Sequence, residues 1–67
     1  MKIILNNREE NFPDDLMTIA DLLEVKKFSF KMLVIKINGK LIKKGEYQTA
    51  IVHDGDDVMI LHLISGG

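Results

Sequence analysis

The stretch Met32-Leu33-Val34-Ile35-Lys36-Ile37-Asn38-Gly39-Lys40-Leu41-Ile42-Lys43 limits the possible fold more than any other part of the chain. In an extended backbone Leu33, Ile35 and Ile37 fall on one face and Lys36 on the other. Asn38-Gly39 supplies the two positive φ angles that a tight type I′ turn requires. Residues 32–43 therefore predict two antiparallel strands with one face to bury. A hairpin by itself is at best marginally stable in water, so another part of the chain has to cover that face.

The cover is a helix. Thr18-x-x-Asp21 reads as a capping box, with Asp where Glu is commoner. Ile19, Leu22 and Leu23 follow at i, i+3, i+4 as one apolar stripe, with Asp21 and Glu24 off it. Lys26-Lys27 suits the negative end of the helix dipole. The spacing predicts about two to three turns, with Leu16 and Met17 packed at the start. Phe28 and Phe30 read as core plugs in the link that follows.

The flanks supply more strands. Lys2 to Asn6 is a short apolar strand, Asn6-Asn7 a turn, and Arg8 to Phe12 its more polar partner. Pro13 has no N–H to donate, so that partner is an edge or stops there. Lys44 to Thr49 is a polar crossing, Ala50 to His53 a short apolar bridge, and Asp54-Gly55-Asp56-Asp57 a turn. Val58 to Leu63 is the last strand, with Val58 and Ile60 on one face and Met59, Leu61 and Leu63 on the other. The first and last strands are apolar on nearly both faces, which suits central places in a sheet. The order of elements predicts an α+β fold: a mixed sheet of about four to five strands packed on one helix. That arrangement is the β-grasp, or ubiquitin-like, fold, as one domain over residues 1–67.

Composition excludes several kinds of function. The absence of Cys removes disulfides, thiolate metal sites and a thiol nucleophile, and fits a reducing cytoplasm. No run approaches the ~18–20 apolar residues that span a membrane, and Lys2 to Asn6 is too short for a signal peptide. A net charge of −1 gives no field favouring nucleic acid. His53 and His62 lack a third ligand at metal spacing, and Asp54, Asp56 and Asp57 lack the closing Glu of a calcium loop. No metal site and no catalytic constellation is expected. Lys40, Lys43 and Lys44 read as a solvated hairpin tip.

What remains is the end of the sequence, Ile64-Ser65-Gly66-Gly67. Glycines carry no Cβ, so this tail is thin enough to thread a narrow channel and present a terminal carboxylate. Its extended reach from Ile64 is at most ~13–14 Å. Beside it, Met59, Leu61 and Leu63 would form an apolar interface on the sheet face away from the helix, with His62 a further candidate contact.

Taken in order, Met1-Lys2-Ile3-x-Leu5-Asn6, Thr18-x-x-Asp21-Leu22-Leu23, Val34-x-x-Ile37-Asn38-Gly39-x-Leu-Ile, Glu46-Tyr47, Asp54-Gly55-Asp56-x-Val58 and Gly66-Gly67 resemble the ThiS family over the whole length. These are the small sulfur-carrier proteins of thiamine thiazole synthesis. The helix exit departs from the pattern: family members often carry Gly and Pro where this chain has Lys26-Lys27-Phe28-Ser29-Phe30-Lys31. The resemblance implies a carrier and not an enzyme. It implies that an adenylating enzyme of the ubiquitin-activating type, using ATP, would join AMP to the Gly67 carboxylate. A persulfide donor would then leave a thiocarboxylate whose sulfur thiazole synthase takes. Gly66 and Ser65 would thread the active site, and no cofactor would be bound. Other readings stay open on residues alone: a carrier for molybdopterin or tRNA thiolation, a ubiquitin-like modifier of lysines, or a non-covalent interaction module.

Overall fold

The computed structural model describes residues 1–28 and 32–63. Its strands are β1 (Lys2–Leu5), β2 (Arg8–Asn11), β3 (Met17–Thr18), β4 (Leu33–Ile37), β5 (Lys40–Ile42), β6 (Ile51–Val52) and β7 (Asp57–His62). One helix, α1, covers Ile19–Val25, and a short 3₁₀ helix covers Lys44–Glu46. Five strands form one sheet in the order β2-β1-β7-β4-β5. Only β1 and β7 are parallel; the other pairings are antiparallel, so the sheet is mixed as expected. β3 and β6 make a separate two-stranded ladder, Met17 opposite Val52 and Thr18 opposite Ile51.

Both hairpins turn where the sequence places them. Asn6 and Asn7 take φ of 50° and 67°, and Asn38 and Gly39 take 51° and 83°, two positive angles in each case. β2 stops at Asn11, before Pro13, and lies at the sheet edge. Ile3, Leu5, Ile35, Ile42, Val58 and Ile60 project from one face of the sheet and are buried. Ile19 and Leu22 of α1, both fully buried, close over them, and Met17 and Val52 of the small ladder complete the core.

Helix α1 is only seven residues long, too short to stand alone. Its ends are closed by partners. Thr18 Oγ1 accepts from Asp21 N–H at 3.0 Å, and Asp21 Oδ2 accepts from Thr18 N–H at 3.2 Å, the predicted capping box. The next free donors reach the crossing segment: Ile19 N–H to Ala50 C=O at 2.9 Å and Ala20 N–H to Tyr47 C=O at 2.7 Å. The polar crossing is thus folded, with a 3₁₀ turn that aims two carbonyls at the helix. At the other end Lys27 N–H bonds Glu24 C=O (3.1 Å) and Phe28 N–H bonds Leu23 C=O (2.8 Å), with Lys27 at φ 58°. That is a Schellman closure. Lys27 thus takes the left-handed conformation that glycine adopts most readily at this position of the closure. Phe28 and Leu23 are both half-buried against the core, as a plug at that site should be. Phe30 lies outside the described residues.

The Asp54-Gly55-Asp56 turn clasps three elements at the start of β7. Asp54 Oδ1 accepts from Lys2 N–H at 2.6 Å, and Gly55 N–H donates to Lys2 C=O at 2.7 Å. Asp56 accepts from His53 N–H (2.8 Å) and from Asn38 Nδ2 (3.0 Å), while Asn38 Oδ1 accepts from Asp57 N–H at 2.8 Å. β1 and the β4–β5 turn are therefore registered against β7 by side chains as well as by the ladder.

A left-handed conformation at a β-carbon-bearing residue costs roughly 1–2 kcal/mol, part of which glycine's larger unfolded-state entropy offsets. Lys27→Gly is expected to raise the unfolding free energy by about 0.5–1 kcal/mol, measured by urea titration. An unchanged or lower midpoint would mean that Lys27 gains as much from its side chain as it loses in backbone strain.

Candidate functional site: the open sheet face and the end of the last strand

β7 is the central strand, held on one side by β1 and on the other by β4. Opposite β4 its register runs Ile37↔Val58, Lys36↔Met59, Ile35↔Ile60, Val34↔Leu61 and Leu33↔His62. The alternation of a strand then fixes the two faces. Val58 and Ile60 point into the core, 0% and 5% exposed. Met59 and Leu61 point away from the helix, as the sequence indicated, beside Val34 and Lys36. Ile4 of β1 and Leu41 of β5 fall on the same open face. Ile4, Val34 and Met59 are half-buried there, while Leu41 and Leu61 are about half exposed. A groove of about 300 Å³ runs between Val34, Lys36, Gly39, Asp57, Met59 and Leu61.

This face joins apolar side chains to a few charges, Lys36 and Asp57 near its centre and the exposed Lys2–Glu9 pair at 3.5 Å towards one edge. A patch of that kind, apolar in the middle and rimmed by charge, has the makeup of a protein-binding surface. Leu63 N–H bonds Met32 C=O at 2.9 Å, so β4 guides the chain one residue past β7. Leu63 is exposed and borders an apolar groove with Met32, Val34 and Leu41.

The structure divides the residues grouped as an interface. Met59 and Leu61 share one groove on the open face, while Leu63 borders a different groove with Leu23, Phe28 and Tyr47. His62 has the parity of Ile60 and stands on the opposite face, exposed, over a small cavity of about 210 Å³ with Asn6, Phe28, Leu33 and Ile60. That separation follows from a period of two, which the sequence already contains. Ser65, Gly66 and Gly67 lie outside the described residues. His53 sits in the turn, exposed, with Nδ1 3.7 Å from Asp56 Oδ2. Among the described residues no group of three or more His, Cys, Asp or Glu is arranged to hold a metal. Lys40, Lys43 and Lys44 are exposed, as a solvated tip would be.

One residue of this region carried no functional signal in the sequence. Asn6 reads there as half of a turn, yet its side chain bonds both the N–H and the C=O of Ile60, far along the chain. No local pattern announces such a contact, because it depends on which strand lies beside β1.

The sequence model of the ThiS family matches residues 2–67. The chain belongs to the ThiS family. Among ThiS relatives, the sulfur carrier protein ThiS of Bacillus subtilis is 30% identical over 63 residues, covering 94% of this chain and 96% of that one. A thiazole synthase of Paramagnetospirillum magneticum is 31% identical over all 67 residues, but the chain spans only 20% of its length. The crystal structure of a ThiS from Geobacter metallireducens superposes with a TM-score of 0.89 over the full length of both chains at 22% identity. Its solution structure gives 0.82. At that identity the likeness establishes the β-grasp fold. Family membership makes the chain a small ThiS sulfur carrier of thiamine biosynthesis, and a carrier rather than a catalyst.

The two faces of β7 are expected to respond oppositely to charge. Leu61→Asp should lower stability by ~1 kcal/mol or less, as exposed strand positions do. Ile60→Asp places a carboxylate in the core at a penalty of several kcal/mol, against a total of roughly 3–10 kcal/mol for a chain this size, and should unfold it. Circular dichroism melts of the two variants decide; equal losses would show that the open face is covered in solution.

Proposed function

We propose that this ThiS-family carrier bears its sulfur as a thiocarboxylate on Gly67. One observation carries the reading: the family match runs through Gly67, five residues beyond a central strand whose outer face is open and apolar. A carboxylate is a poor electrophile. Attack of a Gly67 carboxylate oxygen on the α-phosphorus of ATP, with loss of pyrophosphate, would give an acyl adenylate with AMP as leaving group. A persulfide sulfur would then displace AMP, and reduction of the sulfur–sulfur bond by a thiol would leave the thiocarboxylate. Asp and Glu side chains offer the same functional group, but each is branched from the backbone and fixed to the body of the fold. Gly66 and Ser65 would occupy the channel of the activating enzyme, where small side chains matter most.

The partners follow from that chemistry. An adenylating enzyme of the ubiquitin-activating type would supply ATP and the active site, and a persulfide protein the sulfur. Thiazole synthase would be the acceptor, a reading supported by the relative of that name that contains a stretch like this chain. Met59, Leu61 and Leu63 would dock on these partners and supply most of the affinity. Ordering a glycine-rich tail costs roughly 1–2 kcal/mol per residue, so it can contribute little. The lack of Cys means the chain cannot hold its own persulfide, and it suits a reducing cytoplasm. Among the described residues no helix is long and apolar enough to cross a membrane.

The test is intact-protein mass spectrometry after incubation with a cognate adenylating enzyme, ATP and a sulfur source. The expected result is a mass gain equal to one oxygen exchanged for one sulfur, located on Gly67. An unchanged mass with a competent enzyme would overturn the reading, and a covalent adduct with a second protein would point to a modifier. In the same assay Gly66→Val is expected to alter stability by no more than ~0.5 kcal/mol while sharply slowing adenylation, because a β-branched side chain widens and stiffens the tail. Equal rates would show that no tight channel surrounds Gly66.

A further inference from the structure

The last strand loses one neighbour halfway along its length. β1 runs beside β7 only through Ile4↔Asp57 and Leu5↔Val58. Its rungs are Ile4 N–H to Asp56 C=O and Asn6 N–H to Val58 C=O, both 2.9 Å. Even-numbered residues of β7 thus turn their peptide groups towards β1. Odd-numbered residues turn theirs towards β4, as Asn38 N–H to Asp57 C=O and Leu63 N–H to Met32 C=O record. At Asn6 the backbone swings into β2, with positive φ at Asn6 and Asn7. The last backbone rung from β1 therefore falls at Val58, short of Ile60. At Ile60 the Asn6 side chain takes over: Oδ1 accepts from Ile60 N–H at 2.7 Å and Nδ2 donates to Ile60 C=O at 3.1 Å. A carboxamide carries donor and acceptor side by side, as a peptide unit does. It extends the parallel ladder by one rung after the strand itself has turned away. Asparagine also tolerates the left-handed backbone that this position imposes.

We propose that Asn6 is a positioning residue for the tail: its carboxamide holds Ile60 in line, so that the end of β7 leaves the sheet in one direction. The proposal rests on the reading of Gly67 as the reacting terminus. Gly67 lies seven residues beyond Ile60, at most ~23–25 Å of extended chain. A tilt of ~10° at Ile60 would displace the far end by about 4 Å at full reach. Misplacement of a reacting group by ~1 Å can lower a rate about a hundredfold. Docking through the open face does not involve Asn6, which lies beside the His62 cavity. Loss of the clamp should therefore affect the chemical step more than the binding step.

The test compares Asn6→Gly with Asn7→Gly. Glycine keeps the positive φ at either site, so each variant preserves the turn and only Asn6→Gly removes the clamp. Amide hydrogen exchange at Ile60 reads the clamp, and ATP–pyrophosphate exchange with the cognate adenylating enzyme reads kcat and KM for the carrier. The expected result for Asn6→Gly is faster exchange at Ile60 and a kcat lowered about fivefold or more with KM within about twofold. Asn7→Gly should match wild type in all three. Asn6→Asp, which keeps the acceptor for Ile60 N–H and loses the donor, should fall between. A kcat for Asn6→Gly within about twofold of wild type, or equal losses in the two glycine variants, would overturn the role of Asn6 and leave the Gly67 reading intact. A wild-type chain that is not adenylated at all would overturn the Gly67 reading first, and this role with it.

Discussion

The fold depends on the insertion of β7, the last strand, between β1 and β4. Before that strand arrives, the chain has one hairpin near its start, a second mid-chain and a seven-residue helix, none able to stand alone. β7 joins them by pairing parallel to one and antiparallel to the other, and it brings Val58 and Ile60 under the helix. The parallel pair is the expensive one to form, since it closes a loop of most of the chain. It is also brief. The side-chain clasp around Asp54, Asp56 and Asn38 fixes its near end, and the Asn6 carboxamide fixes its far end.

Among the described residues one short helix covers one side of the five-stranded sheet, and no element covers the other. A sheet so placed usually alternates buried and polar positions. Here the uncovered side keeps Ile4, Val34, Leu41, Met59 and Leu61, with charge confined to Lys36, Asp57 and the edge. The apolar residues on that side contribute less to folding than they would if buried, and the proposed docking surface lies among them. The strand that builds the core is the same strand that presents the surface.

The parts of the fold that rest on local chemistry were legible in the sequence. Asn38-Gly39 and Asn6-Asn7 turn as their residue types require, Thr18 and Asp21 cap the helix, and period-two alternation sorts Val58 and Ile60 from Met59 and Leu61. What escaped was whatever depends on two distant segments meeting. β3 is two residues long and exists only because β6 lies beside it. The 3₁₀ turn of Lys44–Glu46 looks like polar loop until Tyr47 and Ala50 carbonyls are seen to close the helix N-terminus. Lys27 in a glycine conformation gives no sign of itself, because the Schellman bonds and the Phe28–Leu23 packing outweigh its strain. At the candidate site the shared face of Met59 and Leu61 was legible from alternation, while Leu63, beyond the strand, borders a different groove. The place of His62 on the other face was equally available from parity, but its nearness to the tail in sequence concealed it.

The last eleven residues change character in composition. Residues 57–60 have β4 on one side and β1 or the Asn6 side chain on the other, and opening them means opening the core. Ser65-Gly66-Gly67 has the opposite composition, small and low in rotamer or backbone restriction. On the proposed reading, a terminus that enters one active site and then another gains nothing from a preferred tail conformation, since each partner imposes its own. It does gain from a fixed origin, because the volume a short tether explores is set by where and in which direction it starts. The side-chain clamp on Ile60 gives the last strand such an origin, and a turn asparagine fifty-four positions away supplies it.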